Sequence, residues 1–166
     1  MGKLTFEVKE FIEDNIDLIE NDCWDEVYDN AQFNLDSSST GLFTKIMLEQ
    51  GIDPIERQGL DYIPNYYLSD VDLVEYNIPK GVHEVGEGAF SYTRMPKLTI
   101  PEEVNSIGSY AFYESNIKEI IILSKDTIIG DQAFHNCADD LEVYCIKGSP
   151  VADRLSEFED ISVRYI

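Results

Sequence analysis

A 22-residue period decides most of what this chain can fold into. Ile78-Pro79 recurs as Ile100-Pro101, and Gly86, Gly108 and Gly130 keep the same step. So do Ala89-Phe90, Ala111-Phe112 and Ala133-Phe134, and likewise Val85, Ile107 and Ile129. Leu73, Met95 and Ile117 form a further column, and Tyr76, Leu98 and Ile120 another. One step further back lie Ile63, Tyr67 and Leu68, so a degenerate unit precedes the clear ones. Aligned columns over three or four units identify a stacked array. Each unit buries its apolar faces only against its neighbours.

Within a unit the alternation fixes local structure. Leu98-x-Ile100 and Ile120-x-Ile122 read as short strands with one face inward. The stretches Val82-x-x-Val85 and Val104-x-x-Ile107 follow the proline and form a second extended segment. The glycine of each Gly-x-x-Ala-Phe fits the turn that follows, the alanine allows close approach, and the phenylalanine fills the space between coils. After Leu141-x-Val143-x-Cys145 comes Gly148-Ser149-Pro150, a helix start with Ser at the N-cap and Pro at N1. A short helix through Val151, Ala152 and Leu155 and a strand at residues 161–165 then make a C-terminal cap from about residue 146.

The pattern Ile-Pro-x-x-Val-x-x-Ile-Gly-x-x-Ala-Phe, followed by Leu-x-x-Ile, resembles the BspA-like (Treponema-type) leucine-rich repeat over residues 60–166. Cys137 matches the Cys that often follows Ala-Phe in that family, with Thr93 and Ser115 in its place elsewhere. The closing helix and strand resemble the family's last unit. The resemblance implies an α+β fold: a helical N-terminal cap, a solenoid of about four repeats, and a C-terminal helix–strand cap. It also implies a binding module rather than an enzyme, and many such repeats sit on cell surfaces.

Residues 1–59 carry helical periodicity instead and form an acidic N-terminal domain or cap ahead of the repeat domain at 60–166. Leu4, Val8, Phe11, Ile12, Ile16, Leu18 and Ile19 share one side of a helical wheel, with carboxylates on the other. A second helix is expected with Asp22 as N-cap and Trp24, Val27, Tyr28 and Ala31 inward. Asp36-Ser37-Ser38-Ser39 reads as a loop, with Thr40 capping a third helix through Leu42, Phe43, Ile46, Met47 and Leu48. Gly51 fits its C′ stop, and Pro54 lies beyond it.

The formal charge is −21, from 33 acidic and 12 basic side chains. Such a balance repels phosphate backbones and anionic lipid, so direct nucleic-acid or membrane binding is not expected. It invites a protein partner with a basic surface. No apolar run suits a secretory leader or a membrane span, and Phe6 stands where a myristoylation signal at Gly2 wants Ser or Thr. Cys23, Cys137 and Cys145 read as reduced thiols of a cytoplasmic protein. His83 and His135 occupy different places in their repeats and form no metal spacing with the cysteines. The Gly-x-Gly at 86–88 belongs to the repeat, and Glu102-Glu103 and Asp139-Asp140 fall in loops. No catalytic residue, metal or cofactor is expected.

Two surfaces compete for the partner. On the repeats, Asn77, Thr99 and Ile121 form an outward column, flanked by Glu75, Lys97 and Glu119, while Glu84, Ser106 and Ile128 line the second extended stretch. Ile121 and Ile128 are apolar where solvent is expected, so they are either covered by a cap or available to a partner. Tyr92, Tyr110 and Tyr113 near the Ala-Phe turns either anchor an interface or pack between coils. On the helices, residues 1–30 hold ten acids and two lysines. Glu10, Asp14 and Asp17 lie on the polar side, where carboxylates at i, i+3 and i+4 stand about 5–6 Å apart, close to the spacing of backbone phosphates. That face is either simply solvated or a nucleic-acid mimic docking on a basic groove. Short chains joining an acidic helical start to such repeats resemble phage-encoded proteins, which implies an anti-defence inhibitor acting in a host cytoplasm. An adhesin-like or structural surface protein is the alternative.

Overall fold

The computed structural model describes residues 5–166, so Gly2 and the Leu4 of the first apolar stripe lie outside the described residues. That stripe forms two helices, α1 (Phe6–Asp14) and α2 (Ile16–Glu20), not one. Asn15 breaks it. Its buried amide donates to the Phe11 carbonyl (2.8 Å) and its Oδ1 accepts from Asn30 (2.8 Å). Val8 and Phe11 face the core, whereas the break turns Ile16 outward.

Helix α3 (Trp24–Asn34) buries Trp24, Val27, Tyr28 and Ala31 as the periodicity predicts. Asp22 is not its cap. Cys23 holds that position without a side-chain bond, and Asp22 takes a left-handed φ of 55°. Its carboxylate accepts instead from Trp24 Nε1 (3.0 Å) and from two nitrogens of Arg57 (3.0 Å each). The carboxylate is thus engaged by a guanidinium and an indole and is not free to accept from the first turn of the helix.

The Asp36–Ser39 stretch is likewise no loop. It opens α4 (Ser37–Glu49), with Asp36 as N-cap accepting from Ser39 N (2.7 Å), and Thr40 lies a turn inside. Polar residues there mark a close contact: Ser39, Thr40, Gly41 and Thr44 are buried. Gly51 follows with φ 76°, in keeping with a C′ stop. Pro54 begins a further short helix, α5 (Pro54–Gln58), capped by Asp53 and closed by Gly59.

The repeats wind about five turns of parallel strands. One sheet joins β1 (Tyr62–Ile63), β2 (Glu84–Val85), β4 (Ser106–Ile107) and β6 (Ile128–Ile129). The other joins β3 (Arg94–Ile100), β5 (Asn116–Ile122), β7 (Glu142–Cys145) and β8 (Ser162–Tyr165). Coils pair 22 residues apart until β5 meets β7, where Ile120 faces Val143 and one extra residue has entered. Helix α6 (Pro150–Leu155) starts on Ser149, whose hydroxyl accepts from Ala152 N (3.1 Å). No described helix is long and apolar enough to cross a membrane.

The repeating glycine does not serve the turn. Gly86, Gly108 and Gly130 have no positive φ, and a Cβ on them would lie 2.5, 2.8 and 2.5 Å from backbone atoms of the preceding coil. They are glycine because coils touch there. The turn is made by pairs of left-handed residues: Tyr66 and Asp70, Gly88 and Tyr92, Tyr110 and Glu114, Gln132 and Asn136.

One continuous core ties helices to repeats. Its aromatic rings form an unbroken chain, Phe11–Phe43–Tyr28–Tyr67–Tyr76–Phe90–Phe112–Phe134–Phe158, with centroids 5.1–6.1 Å apart. Phe90, Phe112 and Phe134 stack nearly parallel because each fills the same place in successive coils.

Candidate interaction surfaces

The turn side of the solenoid gathers the tyrosines. Tyr92 and Tyr110 sit at left-handed positions of neighbouring coils and are exposed. Half-buried Tyr113 stands between them, edge-to-face with Tyr92 (5.5 Å) and with Tyr110 (5.7 Å). His135, one repeat beyond Tyr113, stacks on its ring at 6.0 Å. The four rings thus form one outer ridge across three coils, separate from the buried phenylalanines. Tyr66, on the preceding coil, makes no ring contact with them: its ring covers Gly88, where a Cβ would lie 2.4 Å from Tyr66 Cε1, and its hydroxyl donates to Glu87 (3.3 Å). The Tyr113 phenol is held above its ordinary pKa, first by the bond to Glu114.

Thr99 and Ile121 stand elsewhere, on the long-strand sheet. They pair side by side, and Tyr144 and Arg164 continue their column. Thr99 and Ile121 are both half-buried. This sheet carries its own counter-ions. Lys97 pairs with Glu119 (2.7 Å), Lys118 with Asp140 (2.8 Å), Arg164 with Glu142 (2.8 Å), and Arg94 with Asp72. Each Arg or Lys partner holds the Asp140 or Glu142 carboxyl below its usual value. Ile128 lies on the short-strand sheet and is 73% exposed, so the cap leaves it open.

On the helices, Glu10 and Asp14 come together with Glu7. They line a hollow of about 520 Å³ whose opposite wall is Asn30 and Asn34 of α3. Asp17 does not join them, since the break at Asn15 places it on α2.

His135 and Tyr144 escaped the sequence argument as surface partners. Each follows from the register, His135 one step after Tyr113 and Tyr144 one lengthened step after Ile121. The cysteines are unpaired, and burial pushes the Cys137 thiol up to about 11. Among the described residues no three His, Cys, Asp or Glu side chains converge as a metal-binding set.

A family model described as BspA type leucine rich repeat region matches residues 54–141, in six copies. No curated protein and no solved structure matches the chain.

Proposed function

Since this chain belongs to the BspA-type leucine-rich-repeat family, we propose that it is a non-enzymatic module that binds a protein partner through the tyrosine ridge of its turn side. The observation that carries this reading is the placement of Tyr92 and Tyr110 at left-handed backbone positions. Gly88 and Asn136 occupy equivalent positions with little strain. A bulky residue in that conformation costs about 1–2 kcal/mol, and neither ring enters the core. Exposed aromatic rings offer large, rigid contact area at small entropic cost, which is the chemistry of interface anchors. The net charge favours a partner with a basic rim around that contact.

A second reading rests on Glu7, Glu10 and Asp14 lining one hollow. There the carboxylates stand in for phosphates, and the chain inhibits a nucleic-acid-handling protein, as a phage product would block a bacterial host or defence protein from within the cytoplasm. An adhesin would use the same tyrosine ridge outside the cell.

The test is capture from a fractionated bacterial lysate with wild type and a Tyr92→Ala/Tyr110→Ala variant. A protein retained by wild type and lost by the variant supports the ridge. Its origin in the cytosolic or envelope fraction separates inhibitor from adhesin. Equal retention by both refutes the ridge.

A further inference from the structure

The two sheets differ in how their charge is compensated. The long-strand sheet neutralises itself, coil against coil. The short-strand sheet does not. Its outward column runs Tyr62, Glu84, Ser106 and Ile128 through four coils. Helix α3 walls one end, so Asp29 and Gln32 face Tyr62, Glu84 and Glu87 across a groove of about 260 Å³. Among the described residues no Lys or Arg pairs with Asp29, Glu84 or Glu87. The far end of the column is apolar, because Ile128 is 73% exposed.

We propose that this face docks an extended, basic segment of a partner protein. One Arg or Lys lies among Asp29, Glu84 and Glu87 with its stem on the Tyr62 ring, and an apolar residue four positions away covers Ile128. Charge complementarity selects the cation, since three carboxylates without counter-ions share a partly enclosed groove with an aromatic face. The negative field reaches Tyr62, whose phenol is raised by burial and then by Asp29, Asp25 and Asp61.

The spacing selects the second residue. Three coil steps of about 4.8 Å separate Tyr62 from Ile128, roughly 14 Å in all. An extended peptide covers that distance in about four residues, and an even step keeps both side chains on one face. The short-strand column and the tyrosine ridge are different sides of the solenoid, so this inference stands apart from the ridge.

The experiment titrates the 15N-labelled full chain with a nine-residue peptide of Ser and Thr bearing Arg at its third position and Ile at its seventh. Amide signals of Tyr62, Glu84, Ser106 and Ile128 are expected to move together. Glu84→Lys should weaken binding about tenfold by charge reversal, and Ile128→Ser about fivefold through lost apolar contact. All altered side chains are exposed, and unchanged spectra elsewhere show that the variants fold. Tyr92→Ala should leave the titration as it is. Three results would overturn the inference: no shifts at millimolar peptide, shifts centred on the α1 hollow or the tyrosine ridge, or equal binding by a control peptide with Ile moved to the fourth position.

Discussion

Gly41 of α4 lies so close to the first coil that a Cβ built on it would sit 1.8 Å from the carbonyl oxygen of Ser69. Helix propensity alone makes Gly41→Ala stabilising by about 0.5–1 kcal/mol. The clash is with backbone on both sides, so neither neighbour can rotate away. The sign should therefore reverse, to a loss of about 1–3 kcal/mol, as overpacking costs elsewhere. Urea unfolding of the variant decides between the two, and a gain would mean that α4 does not seat on the repeats.

The phenylalanine stack gives a graded set of losses. Phe112 is fully buried between Phe90 (5.7 Å) and Phe134 (5.1 Å). Phe112→Ala should cost about 3–5 kcal/mol. Phe158→Ala should cost less, because that ring is only half-buried and meets Phe134 edge-on at the end of the chain of rings. Thermal melting of both variants checks the order.

The repeats were legible because the same contact recurs every coil. Any residue inward in one unit is inward in the next, and Val85, Ile107 and Ile129 are all buried as their column requires. A contact that happens once leaves no such column. Asp22 reads as a cap until Arg57, 35 residues away, claims its carboxylate. Asp36–Ser39 reads as a loop because small polar residues leave no apolar periodicity. Ser39, with Thr40 and Gly41 after it, is buried against the first coil, a contact the local sequence does not show. The candidate surfaces were half legible for the same reason. Tyr92, Tyr110 and Tyr113 could be named, but their convergence depends on left-handed turns that Asp70, Gly88 and Asn136 announce by residue type and the tyrosines themselves do not.

Asp53 gives a pH dependence of stability. Burial raises its carboxyl above the ordinary value, outweighing bonds from the Ile55 and Glu56 amides and the Tyr67 hydroxyl. The folded chain therefore holds this proton more tightly than the unfolded one. Its charge burdens the folded state above the folded pKa, and that burden is relieved as pH falls toward the unfolded value of 3.8. Asp53→Asn keeps the cap acceptor and removes the charge. Against this variant, wild type should gain relative stability as pH drops from 7 toward 4. Asp53→Ala should lose about 1–2 kcal/mol through the lost cap and an unsatisfied Tyr67 hydroxyl, and more at pH 4 than at pH 7, because it lacks the same titration. Denaturant midpoints across that range give the comparison, and a wild-type advantage that shrinks on acidification would contradict it.

The two candidate surfaces for the protein partner separate by charge and by salt. Glu10, Asp14 and Asp17 are exposed, so reversing them to Lys should change stability little. If the helical hollow binds a basic partner, Glu10→Lys/Asp14→Lys should weaken the complex strongly. Asp17→Lys alone should do little, because Asp17 lies outside the hollow. Raising salt from about 0.05 to 0.5 M should weaken that complex too, as the Debye length falls several-fold. The tyrosine ridge behaves otherwise. Tyr92→Ala/Tyr113→Ala removes an edge-to-face pair at 5.5 Å whose contribution is apolar contact, so the loss should persist at both salt concentrations. Calorimetric titration of the captured partner at the two ionic strengths reads both effects. A complex insensitive to the Glu10/Asp14 reversal and to salt, but lost with the tyrosines, leaves the ridge as the site; the opposite pattern moves the partner onto the helices.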